Sequence, residues 1–307
     1  MNNSFIIATY NKAEWLHIVL HSFQQLKTKE EYEIVIVNDG SSDHTELVVS
    51  QFKNKLNINY VYQENRGLAS ARNRAIEAAK GDILLFIDDD RMLPYDFLDE
   101  HLKVHVMLND PKLIVIGERL QLYVSNLELK SEEIIKDLNQ DMKFYKRLSR
   151  SDDYHKAIKR MFNNAPSNYE IQWIAAVFSN LSVRKSVINE IGGFDPNFKG
   201  WGCEDIELGY RLCQNGSSIY LNENAKNYHL EHPRSSEIPK QFMDNFTYMY
   251  NKHNRCYAME LYLEFEQGRL SLEDYNLSVK NDKLTHSPTG EQTYFKDTNV
   301  FRVKGMN

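Results

Sequence analysis

The chain has 307 residues, 42% hydrophobic and 26% charged, enough to bury one large domain or a domain with an appendage, which excludes disorder of the whole. A formal charge of -6 gives no electrostatic footprint for nucleic acid, so an anionic ligand must be met by local arginines, helix ends or a bound cation. Three cysteines, Cys203, Cys213 and Cys256, odd in number and without metal-site spacing, point to buried free thiols in a reducing compartment.

Apolar runs FIIAT, YEIVIVN, INYVYQ and DILLFID alternate with segments of helical spacing, which predicts βαβ units and a parallel sheet. SFIIATY lacks the basic flank and cleavage signal of a leader, and no apolar run reaches bilayer length. The expectation is a cytoplasmic protein without a transmembrane segment, with peripheral membrane contact left open. Trp15, Leu16, Val19, Leu20 and Phe23 form the inner stripe of the first helix; Leu68, Ala71, Ala75 and Ala79 form that of the third. Pro94 opens a further helix to about residue 108, and KLIVIGERLQLYV reads as one or two strands. Over 131–164 the pattern turns polar and helical, an insert expected to cover the sheet. QWIAAVFSNLSV, a short helix over 184–191, the GGFDP turn, GWGCEDIELGYRL and a strand at SSIYLN bring the chain back to the sheet. Beyond Pro239, Phe242, Phe246, Met249 and Tyr250 form an aromatic helical stripe, while the last roughly twenty-five residues carry little pattern. The division is 1–235 as an α/β domain containing the 131–164 insert, then 236–307 as a helical appendage with a loose tail.

Several short stretches carry chemistry. In VNDGSSDHT, Asp-Gly suits an ordinary turn with Ser41, Ser42 or Asp43 capping the next helix. Ligands of open α/β sheets, however, bind at the carboxyl ends of strands, where Asp39 lies, as do Thr9, Tyr10 and Asn11. FIDDDRMLP sets Asp88, Asp89 and Asp90 at a strand end, where repulsion must be offset by solvent, a helix N-terminus or a divalent cation on substrate phosphate. In ENRGLASARNRAI, Arg66 and Arg72 present either an anion site at a helix start or an exposed basic face. GWGCEDIELGYRL starts a helix near Glu204, and Glu204, Asp205 and Glu207 suit its dipole. Capping does not account for Trp201 between two glycines, whose flat face suits a sugar ring beside a carboxylate able to deprotonate a hydroxyl. In NYHLEHPR, His229 and His232 read as loop residues after the SSIYLN strand, able to complete a metal sphere begun by Asp90, with Glu231 and Arg234 as competing partners.

ATYN, VNDGSSD, NRGLASARN, FIDDD, IGGFD and GWGCEDIELGYRL, in this order over roughly residues 4–232, resemble the family 2 glycosyltransferases. WG-x-ED is also similar to the C-terminal motif of β-galactosyltransferases, chondroitin-polymerase domains and polypeptide GalNAc-transferases. The resemblance implies a GT-A fold, a Rossmann-like mixed, mainly parallel sheet flanked by helices. It implies a nucleotide-sugar donor, most often UDP-linked, with Thr9, Tyr10 and Asp39 around base and ribose and Asn11 and Asp89 in the same donor-binding set. Arg66 and Arg72 would lie near the nucleotide or diphosphate, and Asp88 would face ribose or metal. Asp90 would bind Mn²⁺ or Mg²⁺, joined by His229 with His232 as second choice. Trp201 would line the sugar and acceptor subsites, Glu204 would hold sugar hydroxyls, and Asp205 would be the general base, with Glu204 as the alternative. The acceptor would be a glycan, lipid-linked intermediate, peptide or small molecule, and inversion follows from family membership alone. The C-terminal aromatic helix would cover the acceptor side or mediate assembly into a homo-oligomer. Two other readings fit parts of the pattern: a nucleotidyltransferase, which would release pyrophosphate instead of UDP, and a non-catalytic carbohydrate-binding protein, in which Asp205→Asn would be silent.

Overall fold

The computed structural model describes residues 2–282 apart from 123, 125, 126, 141, 233 and 234. The little-patterned end of the tail and Arg234 lie outside the described residues. Strands β1 (Asn3–Thr9), β2 (Tyr32–Asp39), β3 (Ile58–Gln63) and β4 (Ile83–Ile87) alternate with helices α1 (Ala13–Phe23), α2 (Thr45–Phe52) and α3 (Leu68–Ala78). After β4 come β5 (Arg91–Met92), α4 (Phe97–Leu108) and β6 (Ile114–Leu122). The insert folds as α5 (Leu127–Leu138), α6 (Lys143–Leu148) and α7 (Asp153–Lys159). A 3-10 turn (Gln172–Ala175) leads to β7 (Asn180–Arg184), α8 (Lys185–Glu190), α9 (Glu204–Gln214) and β8 (Ile219–Leu230). Three helices follow: α10 (Ile238–Lys252), α11 (Tyr257–Glu266) and α12 (Leu272–Asp282).

The strands form one eight-stranded sheet in the order β3-β2-β1-β4-β7-β6-β8-β5. β1 to β4 are mutually parallel where they pair, and β7 enters antiparallel between β4 and β6. The apolar runs are continuous because both faces are covered. Ile6, Val35, Val37, Leu84 and Phe86 pack on the α3 side, while Phe5, Ile7, Ile34, Ile36 and Leu85 pack with Leu16, Val19, Leu20 and Phe23 of α1. Trp15 is half-buried beside a smaller cluster containing Ile18, Met92, Ile134 and Leu138, which joins α1 to the insert. Phe242, Phe246, Met249, Met259, Tyr262 and Tyr275 of the C-terminal helices belong to the same apolar cluster as Leu181, Phe194 and Leu208.

Two local expectations change and one is narrowed. The helix expected from Pro94 begins at Phe97, and KLIVIGERLQLYV makes one strand. The SSIYLN strand runs on through NENAKNYHL to Leu230, so His229 is a strand residue and not a loop residue. That extension was hidden because it is polar: buried Asn227 sits in β8 by donating to Ser179 O at 2.6 Å and accepting from Arg91 Nη1 at 3.3 Å. Cys203, Cys213 and Cys256 are free, Cys203 being buried and the others half-buried. No helix among the described residues is long and apolar enough to cross a membrane.

Gly209 lets α9 lie directly on the 3-10 turn. A Cβ there would stand 2.5 Å from Ala176 Cβ and 2.8 Å from Trp173 O. Gly209→Ala should therefore cost about 1–3 kcal/mol through overpacking, outweighing alanine's better helix propensity. A lower urea midpoint with an unchanged slope is the expected readout; a raised midpoint would contradict it.

Candidate active site

The carboxyl ends of β1, β2 and β4 open onto one cleft of about 910 Å³, closed on its other sides by α9, the end of β8 and residues from the insert and C-terminal helices. Thr9, Tyr10, Asp39, Arg72, Asp88, Asp89, Asp90, Trp201, Glu204, Asp205, His229 and His232 all line it, although they are drawn from the whole length of the chain. Asn11 and Arg66 do not line it. Asn11 takes a left-handed φ of 52° and its side chain accepts from Ser42 N at 2.8 Å, tying the loop after β1 to the loop after β2. Arg66 is exposed and contributes its backbone N–H to Asp39 at 2.9 Å. Asp39 also accepts from Gln63 Nε2 at 2.6 Å and Gly67 N at 2.9 Å, so its carboxylate is fixed at the start of α3.

Arg72 ties the two acidic motifs together. Its Nη2 lies 3.0 Å from Asp88 Oδ1 and its Nη1 3.2 Å from Glu204 Oε1, and the side chain is buried. Burial alone would lower its pKa, but Asp88, Glu204 and Asp205 raise it, so the guanidinium stays charged inside the protein.

Two residues of β5 explain the cluster around Asp90. Arg91 pairs antiparallel with His229, and Leu230 N donates to Asp90 O at 2.9 Å, which carries the last aspartate of the triplet to the end of β8. One ligand atom each from Asp90, His229 and His232 fall within 4.8 Å of one another. Asp90 Oδ2 lies 3.5 Å from His229 Nε2 and 3.2 Å from His232 Nε2. His229 Nδ1 is 2.7 Å from Gln121 Oε1, which orients the ring with Nε2 toward Asp90. Asp90 Oδ1 is buried and has no hydrogen-bond partner among the described residues. A carboxylate with one oxygen facing two imidazoles and the other unused fits a divalent cation, and the arrangement is a buried Asp/His cluster able to hold one.

The electrostatics agree with this geometry. Burial would raise Asp90, but the imidazoles of His229 and His232 and the charge of Lys12 hold it well below the usual carboxylate range. Asp89 is pushed up to about 7 by burial, with Lys12 opposing the shift and Asp90 adding to it. His229 would be lowered by burial, yet Asp90 and Glu231 raise it.

At the opposite wall, the chain reverses through Gly200, Gly202 and Cys203, whose φ values of 69°, 100° and 68° are all left-handed. A non-glycine residue there is strained, and the turn delivers Glu204 directly into the first turn of α9. Trp201 stands out at 46% exposure, its backbone held by Gln241 Oε1 at 3.0 Å and by Asn245 Nδ2 at 3.2 Å. The aromatic loop is thus pinned by α10. Glu204 is raised to about 7 by burial and by Asp205, against the opposing charge of Arg72, and its Oε2 is buried without a hydrogen-bond partner among the described residues. Asp205 is also raised by burial against Arg72; it is half-buried in the cleft wall, and its Oδ1 accepts from Ile206 N at 2.8 Å.

Glu207 points away from the cleft. It is fully buried between Arg211, Lys252 and His253, with contacts of 2.8, 2.8 and 2.9 Å. Burial would raise its carboxyl, but hydrogen bonds from His253 and Arg211 and from Lys252 hold it at about 2. Its folded pKa lies below the unfolded one, so its stabilisation is present above about pH 4.5 and lost as pH falls toward 2. Glu207→Ala should cost about 1–3 kcal/mol near neutral pH, since it takes from the part-exposed Arg211, Lys252 and His253 the buried carboxylate they share. Urea unfolding at pH 7 and pH 3 should show the difference narrowing in acid; equal deficits at both values would refute the role.

Sequence reasoning passed over several cleft residues. Lys12 follows ATYN directly, while Arg119, Asp152, Tyr154, Tyr262 and Glu266 come from β6, the insert and α11. Glu266 is raised to about 7 by burial, partly offset by Arg119. The only signal for Asp152, Tyr154, Tyr262 and Glu266 was the expectation that the insert is a helical cover and that the appendage covers the acceptor side.

Comparison with known proteins agrees with this architecture. Residues 4–164 match the model of glycosyl transferase family 2, and residues 159–233 match one described as the N-terminal domain of galactosyltransferase. The uncharacterized glycosyltransferase YfnE of Bacillus subtilis is 28% identical over 291 residues, covering 86% of this chain and 74% of that protein. Hyaluronan synthase of Pasteurella multocida is 28% identical over 281 residues, covering 87% of this chain; the chain spans only 28% of that protein's length. Among solved structures, Staphylococcus aureus TarS 1-349 in complex with UDP-GlcNAc superposes with a TM-score of 0.60 at 19% identity, over 82% of this chain and 66% of that one. That likeness supports the GT-A fold, and with more than half its length matched by one family model, the chain belongs to glycosyl transferase family 2.

Proposed function

We propose that the protein transfers a sugar from a UDP-sugar to an acceptor hydroxyl with inversion, using Asp205 as general base. The observation that carries this reading is the arrangement of one cleft: Arg72 bridges Asp88, beside the Asp90–His229–His232 cluster, to Glu204 at the start of the α9 helix. Asp39 with Thr9 and Tyr10 would receive base and ribose, and Arg72 and Asp88 would border the diphosphate. Trp201 offers its exposed face to the sugar, and Glu204, with one buried oxygen unused, would accept from a sugar hydroxyl. Asp205 would take the proton of the incoming hydroxyl on the side away from the leaving diphosphate, so no covalent enzyme intermediate is needed. A cation held by Asp90, His229 and His232 would supply charge stabilisation to the departing diphosphate. The two imidazoles favour Mn²⁺ over Mg²⁺, which prefers oxygen ligands.

The same proposal takes residues 1–235 as the catalytic unit and the helices after it as the cover of the acceptor end, supported by the fact that β8 is the last strand among the described residues. Free cysteines support a cytoplasmic setting. The test is a panel of nucleotide sugars with Mn²⁺ or Mg²⁺, read as nucleotide release with candidate acceptors and with water. Release of UDP supports the reading, whereas release of pyrophosphate would mean nucleotidyl transfer.

A further inference from the structure

Lys12 stands in an unusual place. It is the residue immediately before the first turn of α1 and makes no side-chain capping bond, and a cation there opposes the helix dipole. Its ammonium instead reaches into the Asp90 cluster, with Nζ 2.5 Å from Asp90 Oδ2, 2.6 Å from His232 Nε2 and 3.9 Å from Asp89 Oδ1. An ammonium can only donate, so His232 Nε2 must accept, presenting the lone pair that a metal would use. Two of the three candidate ligand atoms are therefore already directed at a positive charge belonging to the chain itself. The side chain is 21% exposed, so it has a way out to solvent.

We propose that Lys12 is the resident counter-ion of the cation site: its ammonium holds Asp90 and His232 in the metal-free protein, must leave when a divalent ion enters, and moves to the donor diphosphate. This rests on the reading of Asp90, His229 and His232 as cation ligands. Three positive charges cannot share one carboxylate oxygen without mutual repulsion, so metal alone binds against Lys12. A diphosphate supplies new negative charge for the displaced ammonium, so metal and nucleotide favour each other's binding by the same factor. The order of assembly is thereby biased toward metal arriving with donor.

The test is titration of the full chain with Mn²⁺ alone and then with saturating UDP, reading free aquo-Mn²⁺ by electron paramagnetic resonance. Lys12→Met should bind Mn²⁺ alone at least about tenfold more tightly than wild type, about 1.4 kcal/mol, and UDP should add less to it. Lys12→Arg keeps the charge and should stay as weak as wild type. Lys12→Gln, polar and uncharged, should repeat the Met result and guards against a folding defect in that variant. The rise in melting temperature on adding Mn²⁺ should be larger in the uncharged variants. Equal Mn²⁺ affinity in wild type and both uncharged variants, with binding abolished by Asp90→Ala, would overturn the role of Lys12 and leave the cation site standing. No Mn²⁺ binding in any protein, with or without UDP, would overturn the cation site and the role of Lys12 together.

Discussion

Asp205→Asn should lower the rate of sugar transfer by about 10²–10⁴-fold, the range for loss of a positioned general base, while UDP affinity stays unchanged. The substitution keeps shape and the contact to Ile206 N, so the loss reads chemistry instead of folding. Glu204 is the competing candidate, and the structure distinguishes the two by their partners: Glu204 Oε1 faces Arg72, while Asp205 has no ion pair within the described residues. Both carboxyls are raised by burial against the charge of Arg72, so what separates them is position: Glu204 is buried on the guanidinium, whereas Asp205 stands half-buried in the cleft wall. Glu204→Gln should therefore raise the donor KM more than it lowers kcat. A base acts when deprotonated, so the wild-type rate should fall as pH drops through the raised titration of this pair, and Asp205→Asn should lose that acidic limb. If Asp205→Asn kept the wild-type rate and pH profile, Asp205 would not be the base.

Much of this site was legible because strand ends advertise it. Thr9, Asp39 and the Asp88–Asp90 triplet each follow a run of buried apolar residues, and in a parallel sheet such ends meet at one edge without any need to know the helices between them. Trp201 and the acids after it were legible for a different reason: helix capping accounts for the carboxylates but not for the aromatic. The pairing of Asp90 with His229 was anticipated as a shared metal sphere, but the strand geometry that makes it was not legible. It depends on a two-residue strand, too short to show any alternation, and on a polar strand end whose buried asparagines are satisfied by partners distant in sequence. Lys12 was missed because a lysine before a helix reads as a solvated charge. Glu266 and Asp152 were missed because their place in the cleft arises only after the insert and α11 fold back over the sheet.

Asp90→Ala should remove the metal-dependent increment of UDP affinity. Residues one step removed from a metal already change its affinity by about 10–100-fold, so a direct ligand should cost at least as much. The fold should survive, because Asp89 lies 3.9 Å from Lys12 Nζ and can take over as its counter-ion. Stability should nevertheless change with pH in a defined direction. The Asp90 pKa is held well below its ordinary value in the folded metal-free protein, so its contribution is present above about pH 4 and is lost as pH falls further. Asp90→Ala should accordingly be less stable than wild type at neutral pH and approach it in acid. Calorimetric titration of UDP with and without Mn²⁺, beside urea unfolding of the chelator-treated proteins at pH 7 and pH 3, separates the two effects. Equal UDP affinity with and without metal in both proteins would remove Asp90 from donor binding, and a stability gap that widened in acid would contradict its depressed pKa.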